Sequence, residues 1–275
     1  VYAVGFKATT SGERLFQFVL NEIFLADSFS SVRALTMLEI GARREELSEY
    51  FVGAGAMNIL GRCIKKAQRV LDGDNEADYQ PMMVTFIQRV LEVPRRGDDL
   101  VDQFARLALS AAGAANRGKV NPSTKKLVMD SRTEAPCYLC GAMCLLSSEE
   151  ESAQVEFEHL WPSSFGGEST FENLLPACWA CNRKKDSMML WHTGHLFSFV
   201  LKPNPSESES GSIPRREKIA RHMKTVFDLA CESQCTLKEA ALAVGPANIQ
   251  SLAPIEPEDA VDFFNFKFGR ADHEL

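Results

Sequence analysis

The N-terminal part of the chain places its apolar residues at helical spacing. After Ser11-Gly12-Glu13, residues Leu15, Phe16, Val19, Leu20, Ile23 and Phe24 form a broad stripe. Asp27-Ser28 offers the cap of a second helix ending near Gly41. Residues 43–71 read as one long helix or two, with Gly53, Gly55 and Gly61 marking a break or a close approach. Asp72-Gly73-Asp74-Asn75 is a turn. Residues 79–93 form the next helix, with Phe86, Val90 and Val93 on one face and Pro94 as its stop. Asp98-Asp99 opens another, through Leu100, Phe104, Leu107 and Ala108 to Ala115. The pattern predicts four to six helices packed together over residues 1–120.

The pattern then changes. Residues 116–136 are polar and read as a connector. Val155-Glu156-Phe157-Glu158-His159 alternates, as a strand does. A regular strand sends Glu158 and His159 to opposite faces, so both can serve one site only if the strand ends or bends there. Trp161-Pro162 follows directly, and proline disfavours an interior strand. Residues 163–169 are a Gly/Ser-rich loop, 171–176 a returning strand, and 178–190 a turn leading into a short helix. Residues 201–214 have linker composition. Pro214 suits the first turn of a helix to about Ser233, with Ile219, Met223, Val226, Phe227 and Ala230 on one face. A short helix follows over 237–252, and Thr236-Leu-Lys-Glu-Ala-Ala has a helix-turn-helix flavour. Phe263, Phe264, Phe266 and Phe268 are expected to dock on the body.

Two Cys-x-x-Cys pairs, Cys137/Cys140 and Cys178/Cys181, bracket the strand–loop–strand segment. Each pair aims two thiolates at one point, and two pairs complete a tetrahedron for zinc. A redox pair and two unrelated buried pairs are the other readings. Zinc is favoured because the pairs occur together and frame a motif. Four cysteines saturate the ion, which makes the site structural. Cys144 is a poorer-spaced rival to Cys140. His192 and His195 are not needed as ligands, and Cys231 and Cys235 read as structural.

The stretch CYLCGAMC, then EHLWPSSFGG, then ENLLPACWACNRKK resembles the HNH endonuclease family, in its variant with four zinc-binding cysteines around a ββα-metal finger. The resemblance covers residues 134–195 and implies nothing about the rest. It implies that His159 is the general base and that Asn173 steadies the loop between the strands. Asn182 takes the third motif position. Glu158 stands where the family more often has Asp, one methylene shorter. Periodicity and the resemblance together predict a fold that is mainly α with a small α+β insert. A helical docking domain (1–120) precedes a zinc-pinned HNH nuclease domain (121–200), a flexible linker (201–213) and a C-terminal helical segment (214–275).

These residue types suit phosphodiester cleavage independently. A neutral histidine can take a proton from water at physiological pH. Glu158 and the Asn182 side-chain oxygen can hold a hard cation, Mg²⁺ or Mn²⁺. Arg183, Lys184 and Lys185 can meet flanking phosphates without reading bases. The implied partner is DNA, with RNA left open. The other function class is a catalytically silent zinc-finger module for binding nucleic acid or protein.

Charge qualifies this picture. The 275 residues carry a formal charge of −7. Residues 1–120 hold fifteen basic and fifteen acidic side chains, and residues 121–275 hold fifteen against twenty-two. DNA binding must then rely on local basic clusters, Arg183-Lys184-Lys185 and PRREKIARHMK from Pro214, or on a partner that adds positive surface. A regulated effector with a protein partner, as in anti-phage defence, fits such a balance. Histidine is absent from residues 1–120, so no catalytic constellation is expected there. No apolar run reaches the ~18 residues of a membrane helix, and no signal peptide is expected at the start. The eight cysteines concentrate in metal-like pairs, which predicts a reducing cytoplasm.

Overall fold

The protein, represented by a computed structural model, is described over residues 5–24, 44–91, 97–116, 119–148, 150, 153–186 and 215–246. The helix expected over 27–41, the linker, His192, His195 and the phenylalanines from Phe263 lie outside the described residues. What is described is mainly α with a small β insert, as the pattern predicts.

Helix α1 (Ser11–Phe18) starts at a capping box: Thr10 Oγ1 accepts from Glu13 N–H, and the Glu13 carboxylate accepts from Thr10 N–H at 2.7 Å. The apolar stripe beyond it does not continue as a regular helix but widens into a π-turn, Val19–Ile23. Helix α2 (Arg44–Leu71) is a single helix, so its glycines mark no break, and Gly55 marks a close approach. A Cβ on Gly55 would lie 3.0 Å from the Phe24 ring. Helices α3 (Tyr79–Arg89) and α4 (Asp98–Ala115) complete this part. Ala105, Ala108, Ala111 and Ala112 are fully buried on α4, and small side chains there let α1, α2 and α3 pack closely around it.

The polar connector holds an unforeseen helix, α5 (Pro122–Val128). Asn121 caps it by accepting from Thr124 N–H at 2.7 Å, and Pro122 fits its first turn. Strands β1 (Glu134–Pro136) and β2 (Met143–Leu145) form a small antiparallel hairpin around the first cysteine pair. Strands β3 (Val155–His159) and β4 (Leu174–Cys178) form a second antiparallel pair, and helix α6 (Trp179–Lys185) follows at once. Residues 171–173 of the expected returning strand are instead a single 3₁₀ turn, Phe171–Asn173.

Helices α7 (Arg215–Ser233) and α8 (Leu237–Val244) form a hairpin, with α8 started by a second capping box, Thr236/Glu239. The finger lies between the two helical parts, in one continuous core. Phe16 of α1 packs against Trp161 at 5.2 Å between ring centroids. On the other side, Tyr138 O–H points at the Met223 sulfur on α7 at 3.9 Å. The N-terminal segment also reaches α7 directly: Lys7 N–H donates to Cys235 O at 2.9 Å, and Phe6 meets Phe227 edge-on at 5.8 Å.

His222, on α7, is 5% exposed, and its Nε2 has no hydrogen-bond partner among the described residues. Burial lowers its pKa to about 4. A histidine free in the unfolded chain titrates near 6.5, so the unfolded state gains the proton first. The protein should therefore be most stable above pH 6.5 and lose stability as pH falls from there toward 4, by up to about 3 kcal/mol from this residue. Urea unfolding at pH 7.5 and 5 is expected to show that loss in the native protein and a smaller one in His222→Leu.

Candidate active site

The first cysteine pair sits on the turn after β1. Cys137 N–H donates to Ala142 O at 2.8 Å, and Gly141 N–H to Cys137 O at 2.8 Å. The second pair spans the end of β4 and the first turn of α6, with Val155 opposite Cys178 in the sheet register. The four sulfurs lie within 4.8 Å of one another, and Cys140 Sγ is 3.7 Å from Cys178 Sγ. A tetrahedron of sulfurs about 2.3 Å from zinc has edges of about 3.8 Å. The Cys178 thiol is pulled well below the ordinary range by hydrogen bonds from Cys137 and then Cys181, while Cys137 is pushed up to about 12, chiefly by its bond to Cys178. A zinc ion binds cysteines as thiolates, so binding at this cluster would release protons. The donor set fits zinc, and Cys144 stands outside it.

Between the pairs, β3 and β4 meet in a register that places Glu158 opposite Leu175 and His159 opposite Leu174. The strand ends at His159, so alternation operates up to the last residue. Glu158 points inward, 5% exposed, while His159 is half-buried. Its Nε2 lies 2.9 Å from Ser169 Oγ. Asn173 is fully buried in the turn of the loop. Its Oδ1 accepts from Trp161 N–H at 2.7 Å, and its Nδ2 donates to Trp161 O at 2.9 Å and Glu168 O at 3.0 Å. One amide therefore closes the loop from both sides. The loop has no room for a side chain at Gly167, where a Cβ would stand 1.9 Å from Trp161 O.

Helix α6 covers the inward face of β3. Residues i and i+2 of a strand share a face, as do i and i+3 of a helix, and the two ladders match. Asn182 donates to the Glu156 carboxylate, and Lys185 is ion-paired to the Glu158 carboxylate. Lys185 is 1% exposed and also donates to His159 O at 2.7 Å.

A family model described as HNH endonuclease matches the chain over this region. Residues 137–195 are the matched segment. No curated protein and no solved structure matches the chain. The HNH match covers the finger and none of the helices α1–α5, α7 or α8.

Within the matched finger the expected residues fall into three groups. His159 and Asn173 lie on the loop side, at 2.9 Å from Ser169 and buried under Trp161 respectively. Glu158 and Lys185 are joined as a buried pair, and Asn182 faces Glu156 rather than Glu158. Arg183 and Lys184 are exposed, and Arg183 lies 5.9 Å from the centroid of the Trp179 ring, itself 39% exposed. Two carboxylates and an amide on one face offer the hard oxygen donors that Mg²⁺ or Mn²⁺ takes. Glu156 and Ser169 were not singled out from the sequence. Glu156 had a signal, its i, i+2 relation to Glu158. Ser169 had none beyond membership of the loop. Burial, and then the Lys185 charge, lower the His159 pKa to about 4, so the imidazole is neutral at pH 7. Burial raises the Glu158 pKa, and the Lys185 charge opposes that.

The zinc arrangement is testable by composition and heat. Native protein is expected to carry one equivalent of zinc by mass spectrometry. Cys181→Ser is expected to lose most of it and to melt at least about 10 °C lower, since structural zinc in small fingers supplies much of the folding free energy. Full zinc and unchanged melting in the variant would be the contrary result.

Proposed function

We propose that the finger hydrolyses phosphodiester bonds in DNA with the help of a divalent metal. The observation that carries this reading is the neutral His159 at the end of β3, held at Nε2 by Ser169 within the segment that matches HNH endonucleases. With Ser169 accepting from Nε2–H, Nδ1 presents the lone pair that takes the proton from the attacking water. Glu158, Asn182 and the newly apparent Glu156 are the residues that would hold Mg²⁺ or Mn²⁺. The metal, when bound, neutralises charge on the phosphate and on the departing 3′ oxygen. Asn173 keeps the loop closed, so that His159 keeps its place. Arg183 and Lys184 meet phosphates beside the scissile one, with Lys185 beneath them neutralising Glu158. The products are 5′-phosphate and 3′-hydroxyl ends, as the family resemblance implies, and RNA remains an alternative substrate.

The wider setting belongs to the same proposal. Residues 1–120 act as the docking arm for a protein partner or second copy, 121–200 as the nuclease domain, and 214–275, beyond the linker, as a supporting segment. The protein works as a regulated effector in the cytoplasm, of the kind used in anti-phage defence. No helix among the described residues is long and apolar enough to cross a membrane.

One observation favours a second reading. The buried Lys185 already neutralises Glu158, as in a finger that keeps its fold and does no chemistry. Plasmid cleavage separates the two. With Mg²⁺ or Mn²⁺ the native protein is expected to nick supercoiled plasmid, and His159→Ala to lose at least about 100-fold in rate, the usual scale for a general base, at unchanged zinc content. Equal cleavage by both would remove His159 from the mechanism. Binding of DNA without cleavage by either would favour the silent module.

A further inference from the structure

Helix α1 begins against the glycine loop of the finger. The Ser11 backbone N–H donates to the Glu168 carboxylate, at 2.9 Å to Oε2 and 3.2 Å to Oε1, and the Ser11 hydroxyl donates to Oε1 at 2.6 Å. Ser110 Oγ on α4 lies 3.0 Å from Ser11 Oγ, so a second helix of the arm braces the serine that holds this carboxylate. Beside it, Gly12 N–H donates to Gly166 O at 2.9 Å. A Cβ on Gly12 would stand 2.0 Å from Phe165 O and 2.2 Å from Trp161 Nε1. The two backbones touch here, and only glycine permits it. Glu168 is thus fixed at both ends: its carboxylate by Ser11 and its carbonyl by Asn173 at 3.0 Å. The next residue is Ser169, whose Oγ meets His159 Nε2.

We propose that Glu168 is a positioning residue for His159, and that through Ser11 it makes the N-terminal helical arm part of the active-site assembly. The proposal rests on the nuclease reading of the finger. Its physical basis is that a glycine-rich loop keeps one shape only where it is tied, by Asn173 on one side and through Glu168 on the other. Gly166 and Gly167 give the backbone before Ser169 wide freedom, and a serine hydroxyl rotates about one bond. Charge-assisted hydrogen bonds to a carboxylate are about twice as strong as neutral ones. They hold the backbone that presents the hydroxyl to the imidazole. A displacement of about 1 Å at a catalytic group can cost ~100-fold in rate. Neither Ser11 nor Glu168 touches the reacting atoms, and Ser11 lies outside the segment that matches the family. A partner that shifts the start of α1 would loosen or tighten the Ser169–His159 contact without reaching the site, which gives the arm a means of regulation.

The test compares native protein with Ser11→Ala, Glu168→Ala, Glu168→Gln and the Ser11→Ala/Glu168→Ala double variant. The readouts are kcat and KM for plasmid nicking with Mn²⁺, Kd for a fluorescent duplex, zinc content and melting temperature. Glu168→Ala is expected to lower kcat by about 10–100-fold with KM and Kd within about twofold, because positioning acts on the reacting geometry and not on DNA binding. Ser11→Ala should show the same pattern in smaller measure. The double variant should be no worse than Glu168→Ala, as residues acting through one contact are non-additive. Glu168→Gln should recover most of the rate, since its amide can accept from Ser11 N–H and donate to Ser11 Oγ. Unchanged kcat in Glu168→Ala, additive losses, or a loss fully explained by missing zinc or unfolding would each overturn the proposal while leaving the nuclease reading intact. A native protein that cleaves no DNA would overturn the nuclease reading and this proposal with it.

Discussion

Four sulfurs within 4.8 Å of one another are the constraint on which the finger depends. Its two sheets have two strands each, too little to bury a core of their own. A cation among the thiolates would join the hairpin of β1 and β2 to the junction of β4 and α6. That junction sets where α6 begins, and with it the direction in which Asn182 and Lys185 point. The register of β3 against β4 does the rest, because Val155 pairs with Cys178 and every later residue of the strand is then placed. His159 reaches the strand end on one side and Glu158 turns inward on the other. The placement of these side chains is thus downstream of the cysteine cluster.

Around that ion the protein adds two kinds of support. One is local and polar: the Asn173 amide answers both backbone groups of Trp161 and the carbonyl of Glu168, so the glycine loop has a fixed shape. The other is remote and mostly apolar. Phe16 packs on Trp161 from the N-terminal helices, and Met223 meets Tyr138 from the C-terminal pair. The finger is therefore held as part of a continuous core rather than on a tether. Polar contacts join the same elements: Ser11 meets the Glu168 carboxylate and Gly12 N–H meets Gly166 O, both on the loop that follows His159.

Much of the fold could be read from periodicity. The stripe of Leu15 and Phe16, the face of Phe104 and Ala108, and the alternation of residues 155–159 all report on local backbone, which local sequence determines. Helix α5 was hidden because its seven residues are too few to show an amphipathic period, although Asn121-Pro122 carried a start signal. The zinc set was legible because Cys-x-x-Cys geometry is local too. What stayed illegible were pairings across the chain. Nothing in the sequence tells that Asn182 faces Glu156, or that Lys185 sits buried on Glu158 while Arg183 and Lys184 face outward. Those choices follow from where α6 crosses β3. Ser11 and Glu168 are 157 residues apart, and no motif links them.

The proposal requires one finger to hold two metals in distinct roles, zinc among the sulfurs and a hard cation among the oxygens of Glu156, Glu158 and Asn182. Anomalous diffraction from a crystal soaked in Mn²⁺, recorded at the zinc and manganese edges, tests it most directly. A zinc peak is expected centred on Cys137, Cys140, Cys178 and Cys181, with a separate manganese peak beside Asn182 and a glutamate of β3. Manganese found only among the cysteines, or no manganese peak beside Asn182, would contradict it.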